Sequence, residues 1–183
     1  IKAVKAKGVW YIPTLDMDEA AYVYAQAPAW MQSPFFQGGL TPELKAQFAD
    51  AGWRKKLLGD TKMVAASQAS LAINERNLKA MVDAGVKVGF GTDSGANALR
   101  IPGFSEHREL HLLVAAGLTP GQAIRMATVD AAALLKLTDR GVIAPGKLAD
   151  LVVVDGDPTA DVDAAERIVA VYHRGKMVGG PIH

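Results

Sequence analysis

Val86-Lys87-Val88-Gly89-Phe90-Gly91-Thr92, followed at once by Asp93-Ser94-Gly95, is the stretch on which the fold turns. Its alternation is weak, so both faces read as covered, and its small residues permit the close packing of a buried parallel strand. Asp93-Ser94-Gly95 is turn chemistry and ends the strand in a loop. Upstream, Thr61 to Ala84 has a helical pattern, with Leu71, Leu78, Met81 and Val82 at helix-compatible spacings and Gly85 as its terminator. Before it, Thr41-Pro42-Glu43 starts a helix running to about Leu58, with a hydroxyl cap, Pro at the first position and an acid at the positive end of the dipole. Residues 16–40 read as a long connection with some helix, and Val9-Trp10-Tyr11-Ile12, ended by Pro13, as another buried strand. Downstream, helices are expected over about Ser105–Ala116 with Gly117 as stop, from Thr119-Pro120 to about Met126, and from an Asp130 cap to about Leu137. Strand, long helical region, strand, long helical region implies an α/β fold of parallel strands with helical crossovers.

After Thr138 the pattern changes. Gly141-Val142-Ile143, the turn Pro145-Gly146, and Ala149–Asp155 suggest two short strands. Ile168–His173, Arg174-Gly175 and Lys176-Met177-Val178 read as a hairpin, which makes the tail all β. The division falls at residues 1–138 and 139–183. Half of the 183 residues are apolar, 21% are charged, the formal net charge is +1 and cysteine is absent. This composition is that of a soluble globular protein. The charge gives no footing for nucleic acid or anionic lipid, and the lack of Cys excludes disulfides, thiolate metal sites and cysteine nucleophiles. No apolar run is long enough for a membrane span. The compartment, cytoplasmic or secreted, stays open. Ile1 is not an initiator Met and Ile1–Lys7 carries no signal-peptide pattern, so the expectation is a chain that begins inside a structural element.

Several segments in order carry a resemblance: Gly91-Thr92-Asp93, His107-Arg108-Glu109-Leu110, Ala116-Gly117-Leu118-Thr119-Pro120, Ala127-Thr128, the run Pro145-Gly146-Lys147-Leu148-Ala149-Asp150-Leu151-Val152-Val153-Val154-Asp155-Gly156-Asp157-Pro158, and Val171-Tyr172-His173-Arg174-Gly175-Lys176. Together they resemble the amidohydrolase superfamily, in its imidazolonepropionase-like and prolidase-like branch, over about residues 8–178. The resemblance implies the C-terminal part of a (β/α)8 TIM barrel carrying a small β-sandwich built from both chain ends. Val9–Thr14 then corresponds to barrel strand seven, Val86–Thr92 to strand eight, and residues 139–183 to the C-terminal share of the sandwich.

Barrel enzymes place their active sites at the C-terminal ends of the strands, where Asp93 stands. The resemblance makes Asp93 a metal contact and the general base and acid of a zinc-dependent hydrolase of a C–N bond, with one or two divalent ions. The same resemblance calls for a His-x-His on strand one, a Lys or Glu on strand four, and histidines on strands five and six. The sequence has no His-x-His, and its four histidines are His107, His111, His173 and His183. A catalytic zinc typically takes three protein ligands. The expectation is therefore a chain inactive alone, whose partners are the N-terminal part of the barrel (in the same polypeptide or another chain), a small amide or dipeptide-like substrate, and further copies of itself in a homo-oligomer. The rival is a non-catalytic scaffold that kept the fold and lost the metal ligands.

His107 and His111 lie four apart on one helix face, a spacing that can bind zinc but lacks the Glu-x-x-His context; a surface or interhelix pair is the simpler account. His107, just after the loop following strand eight, is a candidate for substrate contact. Arg100, in that loop, either forks onto a substrate carboxylate or is a solvated loop Arg. Tyr22, Tyr24, Trp30, Phe35 and Phe36 either wall a pocket or pack the loop after strand seven. Asp150, Asp155 and Lys147 read as turn residues of the tail.

Overall fold

The computed structural model describes residues 1–181, so His183 lies outside the described residues. Helix α1 (Lys2–Lys7) leads into strand β1 (Trp10–Tyr11). The connection then folds as α2 (Leu15–Ala20), α3 (Val23–Gln26), a 3-10 turn (Ala29–Gln32) and α4 (Pro34–Gly38). After these come α5 (Pro42–Ala49), α6 (Ala51–Gly59), α7 (Thr61–Asp83) and strand β2 (Lys87–Val88). Next are α8 (Phe104–Ala115), α9 (Pro120–Arg125), a π turn (Met126–Asp130) and α10 (Ala131–Leu134). The tail holds β3 (Leu151–Val154), a second 3-10 turn (Val162–Glu166), β4 (Ile168–His173) and β5 (Lys176–Gly179). Among the described residues no helix is long and apolar enough to cross a membrane.

β1 and β2 pair in parallel, Trp10 opposite Lys87 and Tyr11 opposite Val88, and the Gly89 amide donates to the Tyr11 carbonyl at 2.8 Å. Small residues let the neighbouring side chains pack close here. A Cβ on Gly91 would stand 2.9 Å from Ile12 Cγ2, and one on Gly89 2.8 Å from Leu134 Cδ2. β2 is delivered by a helix stop read directly from sequence. Past α7 the chain turns left-handed at Gly85 (φ 70), and the Val86 amide bonds Met81 O at 3.0 Å while the Gly85 amide bonds Val82 O at 2.9 Å. This is the Schellman arrangement, which uses carbonyls the helix end would otherwise leave unpaired. Gly117 ends α8 in the same way, with Leu118 N on Leu113 O at 3.2 Å.

One apolar core joins Leu71 and Leu78 of α7, Val88 of β2, Leu110, Leu112 and Leu113 of α8, and Val162 and Ala165 of the second 3-10 turn. A second core, around Tyr24, Phe36, Phe48 and Phe104, packs the segment between β1 and α7 against the start of α8. In the tail, β3, β4 and β5 form an antiparallel sheet in sequence order with a bulge at Val153/Val154. The β4–β5 turn is Arg174-Gly175, both left-handed (φ 51 and 77), as a two-residue hairpin turn of primed type demands. Its sheet leaves Val152, Val169, Met177 and Val178 largely exposed.

Four local expectations are corrected. The strands expected over Val9–Ile12 and Val86–Thr92 are shorter, paired only at Trp10–Tyr11 and Lys87–Val88. The helix from Thr41 is broken at Asp50, whose carboxylate accepts from Gly52 N at 2.7 Å and Trp53 N at 3.2 Å and so caps a new helix instead of continuing the old one. Asp130 caps nothing: its backbone is helical, its side chain pairs with Arg125 at 3.5 Å, and the helix runs through it by way of the π turn. Gly141–Ile143 is not a strand. Ile143 is 90% exposed, and Gly141 (φ 90) is seated where a Cβ would lie 2.7 Å from Ala132 Cβ.

Candidate functional site

The loop after β2 is closed on itself. Gly95 N donates to Arg100 O at 2.8 Å, Ala96 N to Asp93 O at 3.2 Å, and Arg100 N to Asn97 O at 3.1 Å. Asp93 is left-handed (φ 54), a conformation that costs a residue with a Cβ on the order of 1–3 kcal/mol and persists only where the surroundings impose it. Its side chain is 62% exposed, and Oδ2 accepts from Arg100 Nη1 at 3.2 Å, with the Arg100 side chain 18% exposed. Asp93 and Arg100, two of the three candidates, are thus brought together. No bond joins His107 to them: its ring meets Phe35 edge-on at 4.5 Å, and its Nδ1 is buried without a hydrogen-bond partner. Burial pushes the His107 imidazole below its ordinary value, which keeps it neutral at pH 7.

Glu106, on the first turn of α8, reaches back into this loop. Its Oε1 accepts from Thr92 Oγ1 at 2.9 Å and from Ser94 Oγ, and its Oε2 from Gly103 N at 2.7 Å. Burial pushes its carboxyl up, but the Ser94, Thr92 and Gly103 donors outweigh that and hold it below the usual carboxylate range. One turn on, Glu109 does the same for the loop after β1. It is fully buried, and its two oxygens accept from Leu15 N at 3.0 Å and Asp16 N at 2.7 Å, just after left-handed Thr14 (φ 50). Arg108 forks onto both oxygens of Glu19 and lies 5.2 Å from the Trp30 ring centroid. His111 Nε2 bonds Glu166 Oε1 at 2.9 Å, tying α8 to the tail. Burial drives Glu109 up to about 7, and burial reinforced by the charge of Glu19 drives Asp16 up to about 6.

Sequence reasoning passed over this buried acidic group. A signal was present: Glu109 falls four residues after Ser105 and three and four before Leu112 and Leu113, on the buried face of its helix. The aromatics after β1 pack, as the simpler account has it: Tyr24 stacks on Phe36 and Phe48, and Trp30 on Phe104. Trp30 and Phe35 also wall a cleft of about 730 Å³ shared with Arg108, His111, Glu166 and Arg167; Asp93, Arg100 and His107 do not line it. Asp150 is a structural residue of the tail, accepting from Arg174 N at 2.8 Å and Arg140 Nη1 at 2.9 Å. Lys147 Nζ bonds Thr138 O and closes the turn.

A metal ion needs several oxygen or nitrogen donors in one place. Among the described residues no three His, Asp or Glu side chains are grouped to hold one. Asp93, an accessible carboxylate in the loop after β2, fits as a single ligand.

The pattern of the amidohydrolase family matches residues 1–178. The imidazolonepropionase of Deinococcus deserti is 41% identical over 83 residues, 45% of this chain and 20% of that protein. The 5-methylthioadenosine/S-adenosylhomocysteine deaminase of Bacillus cytotoxicus is 34% identical over 100 residues, 51% of this chain and 23% of that protein. Among solved structures, an amidohydrolase aligns with a TM-score of 0.66 at 25% identity over 100% of this chain and 37% of its own. A Xaa-Pro dipeptidase with methionine in its active site is similar in fold, with a TM-score of 0.65 at 24% identity over 98% of this chain and 37% of its own. The chain therefore spans little more than a third of the length of these solved structures. With the family pattern running through nearly all of it, the chain belongs to the amidohydrolase family.

Proposed function

We propose that the chain is the C-terminal part of a zinc-dependent hydrolase of C–N bonds, with β1 and β2 as the last two strands of a (β/α)8 barrel and residues 139–183 as a share of a β-sandwich. The observation that carries this reading is the parallel pair β1–β2 with Asp93 in a held loop five residues past the end of the second strand. Active sites of barrels lie at that end. Two strands cannot close a barrel, so the remaining strands and metal ligands come from residues outside this sequence, in the same polypeptide or another chain.

Asp93 would serve as one carboxylate ligand. A divalent ion in such a site lowers the pKa of bound water toward about 7. Asp93 takes the proton of the attacking water and returns it to the departing nitrogen, which would otherwise have to leave as an amine anion. Arg100 orients the Asp93 carboxylate. With five N–H donors on its guanidinium, it can also meet a substrate carboxylate, which suits a dipeptide-like or other small amide. His107, neutral, borders the substrate. The similarity to a deaminase, an imidazolonepropionase and a dipeptidase supports this class of bond without choosing among its members.

The test is Asp93→Asn in the complete enzyme. A loss of about 10²–10⁴-fold in kcat with the fold intact is expected. Turnover near wild type would remove Asp93 from the chemistry. A complete wild-type protein that retains no divalent ion and hydrolyses no amide would favour the scaffold instead.

A further inference from the structure

We infer that Glu106 is the positioning residue for Asp93, fixing the loop from both sides of the reacting carboxylate; the inference rests on the role proposed for Asp93. Thr92 and Ser94 flank Asp93, and each hydroxyl has a single proton to donate. Both protons are spent on the same oxygen, Glu106 Oε1. Thr92 Oγ1 then accepts from Ser94 N at 3.1 Å, so the hydroxyls are ordered as a chain around residue 93. Pinning both neighbours sets the backbone between them, and that backbone is left-handed (φ 54). Arg100 secures the side chain from the far end of the loop. The Asp93 carboxylate is thereby aimed without any contact of its own with Glu106.

The competing account makes Glu106 a helix cap, since its Oε2 accepts from Gly103 N at the start of α8. The two oxygens separate the two jobs. Thr92→Val with Ser94→Ala strips the donors on the loop side and leaves the cap whole. Glu106→Ala removes both functions.

The experiment uses the complete metal-loaded enzyme and compares Thr92→Val/Ser94→Ala, Glu106→Ala, Thr92→Ser and Asp93→Asn. Steady-state kinetics is read together with amide hydrogen exchange of the peptide covering residues 92–100. A carboxylate misplaced by an ångström costs about 10²-fold in turnover. The double variant should lose tenfold to a hundredfold in kcat with KM within about threefold, and residues 94–96 should exchange faster. Thr92→Ser, which restores a hydroxyl, should recover turnover and protection. If Glu106→Ala fails to fold, the double variant still decides. Wild-type kcat in the double variant, with Asp93→Asn inactive, overturns the positioning role and leaves the Asp93 reading standing. An active Asp93→Asn overturns both.

Discussion

Glu109→Gln should reverse the order of stability between variant and wild type as pH rises. Glu109 is fully buried and accepts from two backbone amides of the loop after β1. Burial raises it from an ordinary 4.5 to about 7. A carboxyl held above its unfolded value binds its proton more tightly in the folded state. Its contribution is therefore complete below about pH 4.5 and is lost as pH climbs to about 7, at roughly 1.4 kcal/mol per unit. Across that window the loss is about 3 kcal/mol. Glutamine cannot titrate, but it has one carbonyl oxygen for two backbone amides, so one N–H faces the side-chain NH2, itself a donor, and costs about 1–3 kcal/mol at every pH. At pH 5, where about 0.7 kcal/mol of the Glu109 contribution is already gone, the variant should be the weaker by no more than about 2 kcal/mol; by pH 8 it should equal or exceed wild type. Asp16, raised to about 6, titrates in both proteins, and its charge is among the causes that raise Glu109. Urea denaturation at pH 5, 6, 7 and 8 measures the gap. A gap that does not change with pH would refute the assignment of a buried, protonatable Glu109.

Two further substitutions test the packing. Glu19→Gln removes the charge partner of Arg108, whose side chain is only 20% exposed and lies against Trp30, and should cost about 3–5 kcal/mol in chemical denaturation, far more than an exposed pair would. Gly141→Ala places a Cβ 2.7 Å from Ala132 Cβ and 3.0 Å from Thr128 O at a left-handed position (φ 90); a loss of about 2–4 kcal/mol in the melting free energy is expected, and a loss under 0.5 kcal/mol would show that the loop relaxes freely.

Legibility followed the range of the interaction that fixes each feature. Helix ends decided by local chemistry were readable: the Thr41, Thr119 and Gly85 signals are all realised within a residue or two of where the sequence places them. The parallel relation of β1 and β2 followed from the order of elements. The break at Asp50 was missed because the same Asp can sit inside a helix or cap one, and only its bonds to Gly52 and Trp53 decide. Asp93 and Arg100 were singled out separately, by resemblance and by residue type; that they bond each other depends on the closure of a loop over seven residues, which no pattern encodes. Arg108 and Glu109 are read only as parts of a motif. Their partners at positions 15, 16 and 19 are about ninety residues away, and contacts of that separation leave no periodic trace.

The residues from Glu106 to His111 gain a physical account from this arrangement. Glu106 and Glu109 stand one turn apart on α8, and each clasps the loop that follows one strand of the parallel pair. Each clasp sits beside a left-handed residue bearing a side chain, Asp93 after β2 and Thr14 after β1. Such residues hold only where more bonds converge than the strain can break, and the two carboxylates supply four of them. Between them Arg108 locks Glu19, and beyond them His111 anchors the tail through Glu166. A single helix thus sets the relative placement of both strand-end loops. A perturbation of α8 should therefore reach Asp93 and the segment after β1 together, whereas a change in the sheet β3–β5 should leave the hydrogen bonds around Asp93 as they are.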